Sequence, residues 1–252
     1  MQKNHISLDC TFRDGGYHNN WNFKKSLINR YLTCMSKLNI HFIELGFRFL
    51  NKNKSRGNTA YTDEKFINQL IIPKNLKIGV MINAGDFLNQ VEPIDRVCDK
   101  TFPKIKKSKI KFVRIACHFN EIFKISKIIN WLKKKDLFVA VNLMQISEIN
   151  KKQIEKVCKF IAKKNVDIFY IADSLGCMKP QDINFIYKEI KKYWKGELGI
   201  HAHDNLNYAL KNSILANRNH GVNWLDSTVL GMGRGPGNLK TEDIINHSHN
   251  KK

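Results

Sequence analysis

HISLDCTFRDGGYHNNW, residues 5–21, is the stretch that decides the fold. Its start, HISLDC (5–10), is a short run of the apolar kind that forms a buried strand. A doubly wound open sheet would normally carry a glycine-rich phosphate turn straight after its first strand. Here Arg13 and Asp14 come first and Gly15 and Gly16 follow. The glycines allow a tight turn that leaves the carboxylate accessible, so this turn offers a site to a cation rather than a cradle to a phosphate.

Working outward, seven more runs of the same kind follow. They are HFIELGF (41–47), LKIGVMI (76–82), KFVRIAC (111–117), LFVAVNL (137–143), VDIFYIA (166–172), LGIHAH (198–203) and WLDSTVLG (224–231). Segments of helical period lie between them, at 22–38, 63–71, 119–134, 147–164, 181–194 and 205–219, with a last helix near 239–248. Strands alternating with helices predict a parallel sheet. Eight such units predict an α/β fold of one class, a single (β/α)₈ TIM barrel over 1–252 with its catalytic face at the carboxyl ends of the strands. The stretch 86–109 is the least regular crossover, because Pro93 and Pro103 interrupt it.

Composition narrows the function classes. With 252 residues, 42% hydrophobic and 26% charged, the chain has too much core material for a disordered protein. Lysines and asparagines break every apolar run before membrane-spanning length, so no membrane partner is expected. The N-terminus shows no signal-peptide pattern, which predicts a cytoplasmic protein. Six cysteines are scattered without a C-x-x-C pair and are read as reduced thiols. The net charge of +21 raises a nucleic-acid reading. Only eight of the 43 basic residues are arginine, the residue that bidentate phosphate and base recognition favours, so the charge reads as bulk surface lysine. A noncatalytic basic binding module is the competing reading from another class.

The strand ends hold the candidate chemistry. In His201-Ala202-His203-Asp204, strand alternation sends both histidines to one side. With Asp14 they form one carboxylate and two imidazoles, a set that leaves coordination positions open for substrate and water and suits Mg²⁺ or Mn²⁺, with Zn²⁺ a further candidate. The stretch GMGRGPGN (231–238) reads equally as a phosphate cradle or a tight turn. Glu44, Arg48, Asn142, Asp173 and Ser174 are supporting candidates for substrate binding. Arg48 and Arg114 could equally pair with Glu44, and Asp173 could equally cap the turn after its strand.

LDCTFRDGGY, HAHDNL and GMGRGPGN, in this order, resemble the motifs of the DRE-TIM metallolyase superfamily, which includes hydroxymethylglutaryl-CoA lyase and 4-hydroxy-2-oxovalerate aldolase. VNLMQIS (141–147) and ADSLGCMKP (172–180) look most like the aldolase branch. The resemblance spans the chain. It implies metal ligation by Asp14, His201 and His203, with Asn238 an additional ligand, and an electrophilic role for Arg13. The implied reaction makes or breaks a C–C bond between a pyruvate-like 2-oxo acid and an aldehyde through a metal-stabilised enolate. The chain departs from the aldolases where they carry their base, a histidine three residues after the metal aspartate. Tyr17 stands there with His18 beside it, and His18 is preferred as the base because its ordinary pKa suits proton transfer near neutrality. The chain stops after one barrel, so no channelling dehydrogenase partner is expected, and a homodimer is compatible with the resemblance. The alternative enzyme is a Claisen-type acyl transferase using acetyl-CoA.

Overall fold

A strand hydrogen-bonded on both edges, covered outside by helices and inside by barrel side chains, has little room for polar residues, which is why the eight runs are apolar nearly throughout. In the computed structural model, which describes residues 5–249, they form β1 (Ile6–Asp9), β2 (Phe42–Phe47), β3 (Lys77–Asn83), β4 (Ile110–Cys117), β5 (Phe138–Leu143), β6 (Ile168–Asp173), β7 (Glu197–Ala202) and β8 (Trp224–Ser227). Each strand pairs in parallel with the next, and β8 returns to β1 in the register Ile6↔Trp224 to Asp9↔Ser227. The barrel is closed, as the spacing of the runs predicts.

The crossovers differ in places. The predicted eighth strand runs four residues too far. β8 ends at Ser227, and Val229–Gly231 makes a 3₁₀ turn with Leu230 at φ 56°. The predicted helix 63–71 is one turn, Glu64–Ile67, started by the Asp63 side chain accepting the Phe66 N–H. The predicted helix 119–134 is two pieces, Phe119–Ile122 and Ser126–Lys133. The proline-broken stretch resolves into helices Ala84–Leu88 and Ile94–Thr101 and a 3₁₀ turn, Ile105–Lys107. Pro93 stands at the N-cap of the second, where its missing N–H costs nothing.

Two packed layers fix where a ligand can enter. Outside the strands, Val113, Ile115, Val139, Val141 and Ile171 meet Ile128, Leu132, Ile154, Val157 and Ile161 of the helices, all buried. Each such side chain contributes roughly 1.5–3 kcal/mol on burial. Inside, aromatic rings plug the amino-terminal half of the barrel, with Trp224 4.5 Å from Phe42 and 5.7 Å from Phe138 between ring centroids. Gly199 is required at that level, since a Cβ there would lie 2.3 Å from the Tyr170 ring. The floor is sealed, so polar chemistry is confined to the carboxyl ends of the strands.

Candidate metal centre

Beyond β1 the chain turns at once into Thr11–Asp14 and then a 3₁₀ turn, Gly15–His18. Asp9 holds this entry. Its buried carboxylate accepts the Thr11 N–H at 2.9 Å, the Thr11 and Thr241 hydroxyls at 2.6 Å and the Tyr31 hydroxyl. The Thr11 oxygen in turn accepts the Val229 N–H at 2.9 Å, tying the first turn to the segment after β8. Gly16 is there because a Cβ would sit 2.0 Å from the Trp21 indole, whose N–H donates to the Arg13 carbonyl at 2.8 Å. Arg13 and Asp14 are thereby buried in the barrel mouth, opposite the end of β7.

There the predicted ligand set assembles. Asp14, His201 and His203 are all buried, and each offers a ligand atom within 4.8 Å of the others. His201 Nδ1–H donates to Asp226 at 2.9 Å, and His203 Nδ1–H donates to the Gly237 carbonyl at 3.1 Å. Each ring therefore keeps the Nε2 lone pair for a cation, the usual arrangement for a histidine ligand whose other nitrogen is held by an outer partner. His201 Nε2 is 3.7 Å from Asp14 Oδ2, too far for a hydrogen bond. Asn238 Nδ2 donates to the same Asp14 oxygen, and its Oδ1 is buried without a partner.

Behind these residues lies a closed circuit of buried charge. Arg13 Nη1 donates to Asp14 at 2.7 Å and its Nε donates to Glu44 at 2.6 Å. Arg114 donates to both Glu44 oxygens at 2.7 Å and, through Nη1, to Asp226, which returns to His201. Arg114 also lies over the Tyr170 ring, 4.7 Å from its centroid. Three carboxylates face two guanidiniums, so with neutral imidazoles the cluster carries one uncompensated negative charge out of water, a costly arrangement that a bound cation relieves. The residues present fit a divalent cation on this ground, on the orphaned Asn238 acceptor and on the mixed nitrogen and oxygen donors.

Electrostatics follow the same circuit. Burial works against ionisation of Asp14, yet Arg13, His201 and His203 outweigh it and hold its carboxyl well below the usual range. Burial also opposes charge on His201, but Asp14 and Asp226 on either side of it raise its pKa. His203, pushed down to about 4 by burial and by His201, is neutral near pH 7. A second cluster, Cys10, His201 and Asp226, shares His201. Burial keeps the Cys10 thiol far above its ordinary pKa and Asp226 is committed to Arg114, so this cluster offers no comparable donors.

The other predicted residues fall into place unevenly. Glu44 reaches the centre only through the arginines that take both its oxygens. Arg48 lies away from it, bound to Glu64 at 2.6 Å and the Thr101 carbonyl at 2.9 Å. Asp173 accepts the backbone N–H groups of Cys177 and Met178, at 3.1 and 3.0 Å, and so caps its turn. Ser174 accepts the Gln145 N–H at 3.0 Å. Asn142, at the end of β5, is buried with Oδ1 unpartnered. His18 Nε2 meets the Gly233 carbonyl at 2.7 Å, while Tyr17 packs edge-on to Trp21 and Phe47. The glycine stretch proves to be a cover for the centre: a Cβ on Gly233 would lie 2.2 Å from Asn238 Nδ2 and 2.8 Å from Asp14 Oδ2. Sequence reasoning missed Asp226. Its one signal is an acid inside the apolar run WLDSTVLG, where a buried carboxylate needs a partner.

Comparison with known proteins follows the same lines. Residues 5–252 match the model of the HMGL-like family. The chain is similar to an oxaloacetate decarboxylase of Mycobacterium tuberculosis, 25% identical over 242 residues, covering 95% of this chain and 68% of the relative. It is similar to a 4-hydroxy-2-oxovalerate aldolase of Geobacillus genomosp. 3, 25% identical over 241 residues, with 94% and 68% covered. Among solved structures, the N-terminal domain of a candidate aldolase from Bacteroides vulgatus superposes with a TM-score of 0.85 at 33% identity, covering 97% of this chain and 79% of that one. A family match over nearly the whole chain, on a barrel with buried donors at its mouth, settles the assignment: this chain belongs to the HMGL-like family.

Proposed function

We propose that the chain is a divalent-metal-dependent carbon–carbon lyase that cleaves or forms the bond between a pyruvate-like 2-oxo acid and an aldehyde. The observation that carries this reading is the convergence of Asp14, His201 and His203 beside Arg13 in the mouth of a closed barrel. Asp14, His201 and His203 would hold the cation, with Asn238 Oδ1 as a further donor. Mn²⁺ or Mg²⁺ suits a set with a carboxylate, an amide oxygen and open positions, and the two imidazoles admit Zn²⁺. When bound, the cation supplies Lewis-acid stabilisation of negative charge developing on a ketone oxygen.

The chain's own residues supply the rest. Arg13 is held by Asp14 and Glu44 through Nη1 and Nε, while its Nη2 is buried without a partner. That nitrogen is a preorganised donor for the oxygen of an enolate, and it costs no rearrangement when charge develops. His18 is the proposed proton acceptor. With Nε2–H donating to the Gly233 carbonyl, its Nδ1 keeps a lone pair, whereas burial raises the Tyr17 phenol above its ordinary pKa and makes it the poorer base near neutrality. Asn142 Oδ1 is free to orient the substrate.

The oxaloacetate decarboxylase relative favours a second reading at the same site. Loss of carbon dioxide from a 2-oxo diacid also yields a pyruvate enolate, so Arg13 and the ligand set would serve it unchanged. The barrel is expected to act in a reducing, cytoplasmic compartment, with its cysteines as thiols and small molecules as its partners. None of the helices among the described residues is long and apolar enough to cross a membrane. The test is exchange of the pyruvate methyl protons with deuterated water in the presence of Mn²⁺ or Mg²⁺. Metal-dependent exchange that His201→Ala abolishes is the expected result. Absence of exchange together with release of CoA from acetyl-CoA and a 2-oxo acid would replace this reading by the acyl transferase.

A further inference from the structure

A cavity of about 680 Å³ opens over the carboxyl ends of β2 and β3, on the face of the barrel that carries the metal centre, and the proposed reaction leaves it without a task. Its walls include Phe49, Lys52, Lys54, Arg56, Asn83 and Asp86. It is joined to the centre by aromatic rings. The Arg13 guanidinium lies 5.8 Å from the centroid of Phe47, Phe47 stacks on Phe49 at 4.4 Å, and Arg56 covers Phe49 at 4.5 Å. Active sites of barrels are built on this face, and this cavity opens on the same face as the metal centre, with Phe47 and Phe49 between them.

The charge of the lining is one-sided. Lys52, Lys54 and Arg56 face the single carboxylate of Asp86, whose pKa burial raises while Asn83 and the charge of Arg56 lower it. Lys52 is partly engaged, 3.9 Å from Asp63 and over the Tyr61 ring. Among the described residues, Lys54 and Arg56 have no carboxylate within ion-pair distance, and the Arg56 guanidinium donates no hydrogen bond to protein. Arg56 is nevertheless fixed, lying over Phe49 and 5.5 Å from the Trp21 ring, in a loop braced by Arg56 N–H to the Asn53 carbonyl and Gly57 N–H to the Asn20 carbonyl. Contact through its face leaves its N–H edge free, and a side chain already ordered loses little entropy on binding. Two cations without an ion-pair partner beside the amides of Asn51, Asn53 and Asn83 match a doubly charged oxyanion on a polar carbon chain.

Resting on the lyase reading, we propose that this cavity holds the anionic end of the aldehyde substrate, which is a phosphate ester gripped by Arg56 and Lys54. The aldehyde carbon would then lie toward Arg13 and the metal ligands, with the phosphate outside the aromatic wall of Phe47 and Phe49.

Isothermal titration tests this without turnover, using glycerol 3-phosphate, glycerol and glycerate as probes. Glycerol 3-phosphate should bind at least about tenfold more tightly than glycerol or glycerate, and Arg56→Ala should remove about tenfold of that affinity, the worth of one charge-assisted hydrogen bond. Lys54→Ala, at an exposed side chain that no contact ties to the fold, should weaken it by a smaller factor. Equal binding of the three probes, or unchanged affinity in both variants, overturns the proposal. Kinetics with pyruvate should show a higher kcat/KM for glyceraldehyde 3-phosphate than for glyceraldehyde, through KM. Pyruvate methyl exchange needs no aldehyde, so its absence alongside intact glycerol 3-phosphate binding would refute the lyase reading, and with it the aldehyde assignment, and leave only a phosphate-ester site at Arg56 and Lys54.

Discussion

Arg114→Met is the most revealing single change outside the ligand set. Arg114 is fully buried, donates twice to Glu44 at 2.7 Å and once to Asp226, and packs on Tyr170. Methionine fills much of its volume but leaves two carboxylates short of a counter-charge in a sealed interior. Breaking a buried ion pair from one side costs about 3–5 kcal/mol. At about 2–4 °C per kcal/mol for a chain of this size, Tm should fall by roughly 6–20 °C, read by circular dichroism. The double variant Arg114→Met/Asp226→Asn, with one orphaned charge removed, should recover part of the loss. Acid should narrow the gap as well. In the native protein Asp226 is held below its usual pKa, with Arg114 and His201 outweighing burial, and that contribution is present above the ordinary carboxylate range and lost as pH falls. The variant lacks Arg114's share of it and has less to lose. A Tm drop under about 3 °C, or a double variant less stable than the single one, would refute the picture of a coupled charge circuit.

Three further outcomes follow from particular contacts. Tyr31→Phe removes a buried hydroxyl donor to Asp9 and should cost about 1–3 kcal/mol in urea unfolding, with the chain still folded. Gly46→Ala would place a Cβ 1.9 Å from the Thr59 carbonyl oxygen, so it should destabilise by about 3 kcal/mol or prevent folding, measured by soluble yield and Tm. His203 has its folded pKa lowered to about 4, below its unfolded value. The metal-free protein should therefore gain stability from this group above about pH 6.5 and lose it progressively between there and pH 4, a slope that His203→Gln should flatten in pH-resolved unfolding.

The strands were legible because parallel barrel strands are apolar on both faces, and seven of the eight runs end within two residues of their observed ends. WLDSTVLG overran because Thr228–Gly231 keeps an apolar composition while Leu230 takes a left-handed conformation that composition does not encode. The break at Phe123–Ile125 was hidden for a similar reason, since the apolar spacing runs unbroken through it. At the site, Asp14, His201 and His203 stood out because polar groups at strand ends have few structural uses. Arg114 was legible as a partner of Glu44, but Asp226 was not, because a lone acid in a strand gives no clue to a partner more than a hundred residues away. Arg48 misled for the complementary reason: its carboxylate partner is Glu64, sixteen residues on, rather than a ligand.

The central claim is that one divalent cation is gripped by Asp14, His201 and His203, and Mn²⁺ binding followed by electron spin echo spectroscopy tests it most directly. One Mn²⁺ per chain showing couplings to two imidazole nitrogens, with one coupling lost in His203→Ala and binding abolished in Asp14→Ala, is the predicted result. Mn²⁺ that shows no nitrogen coupling, or that binds undiminished to both variants, would contradict the account.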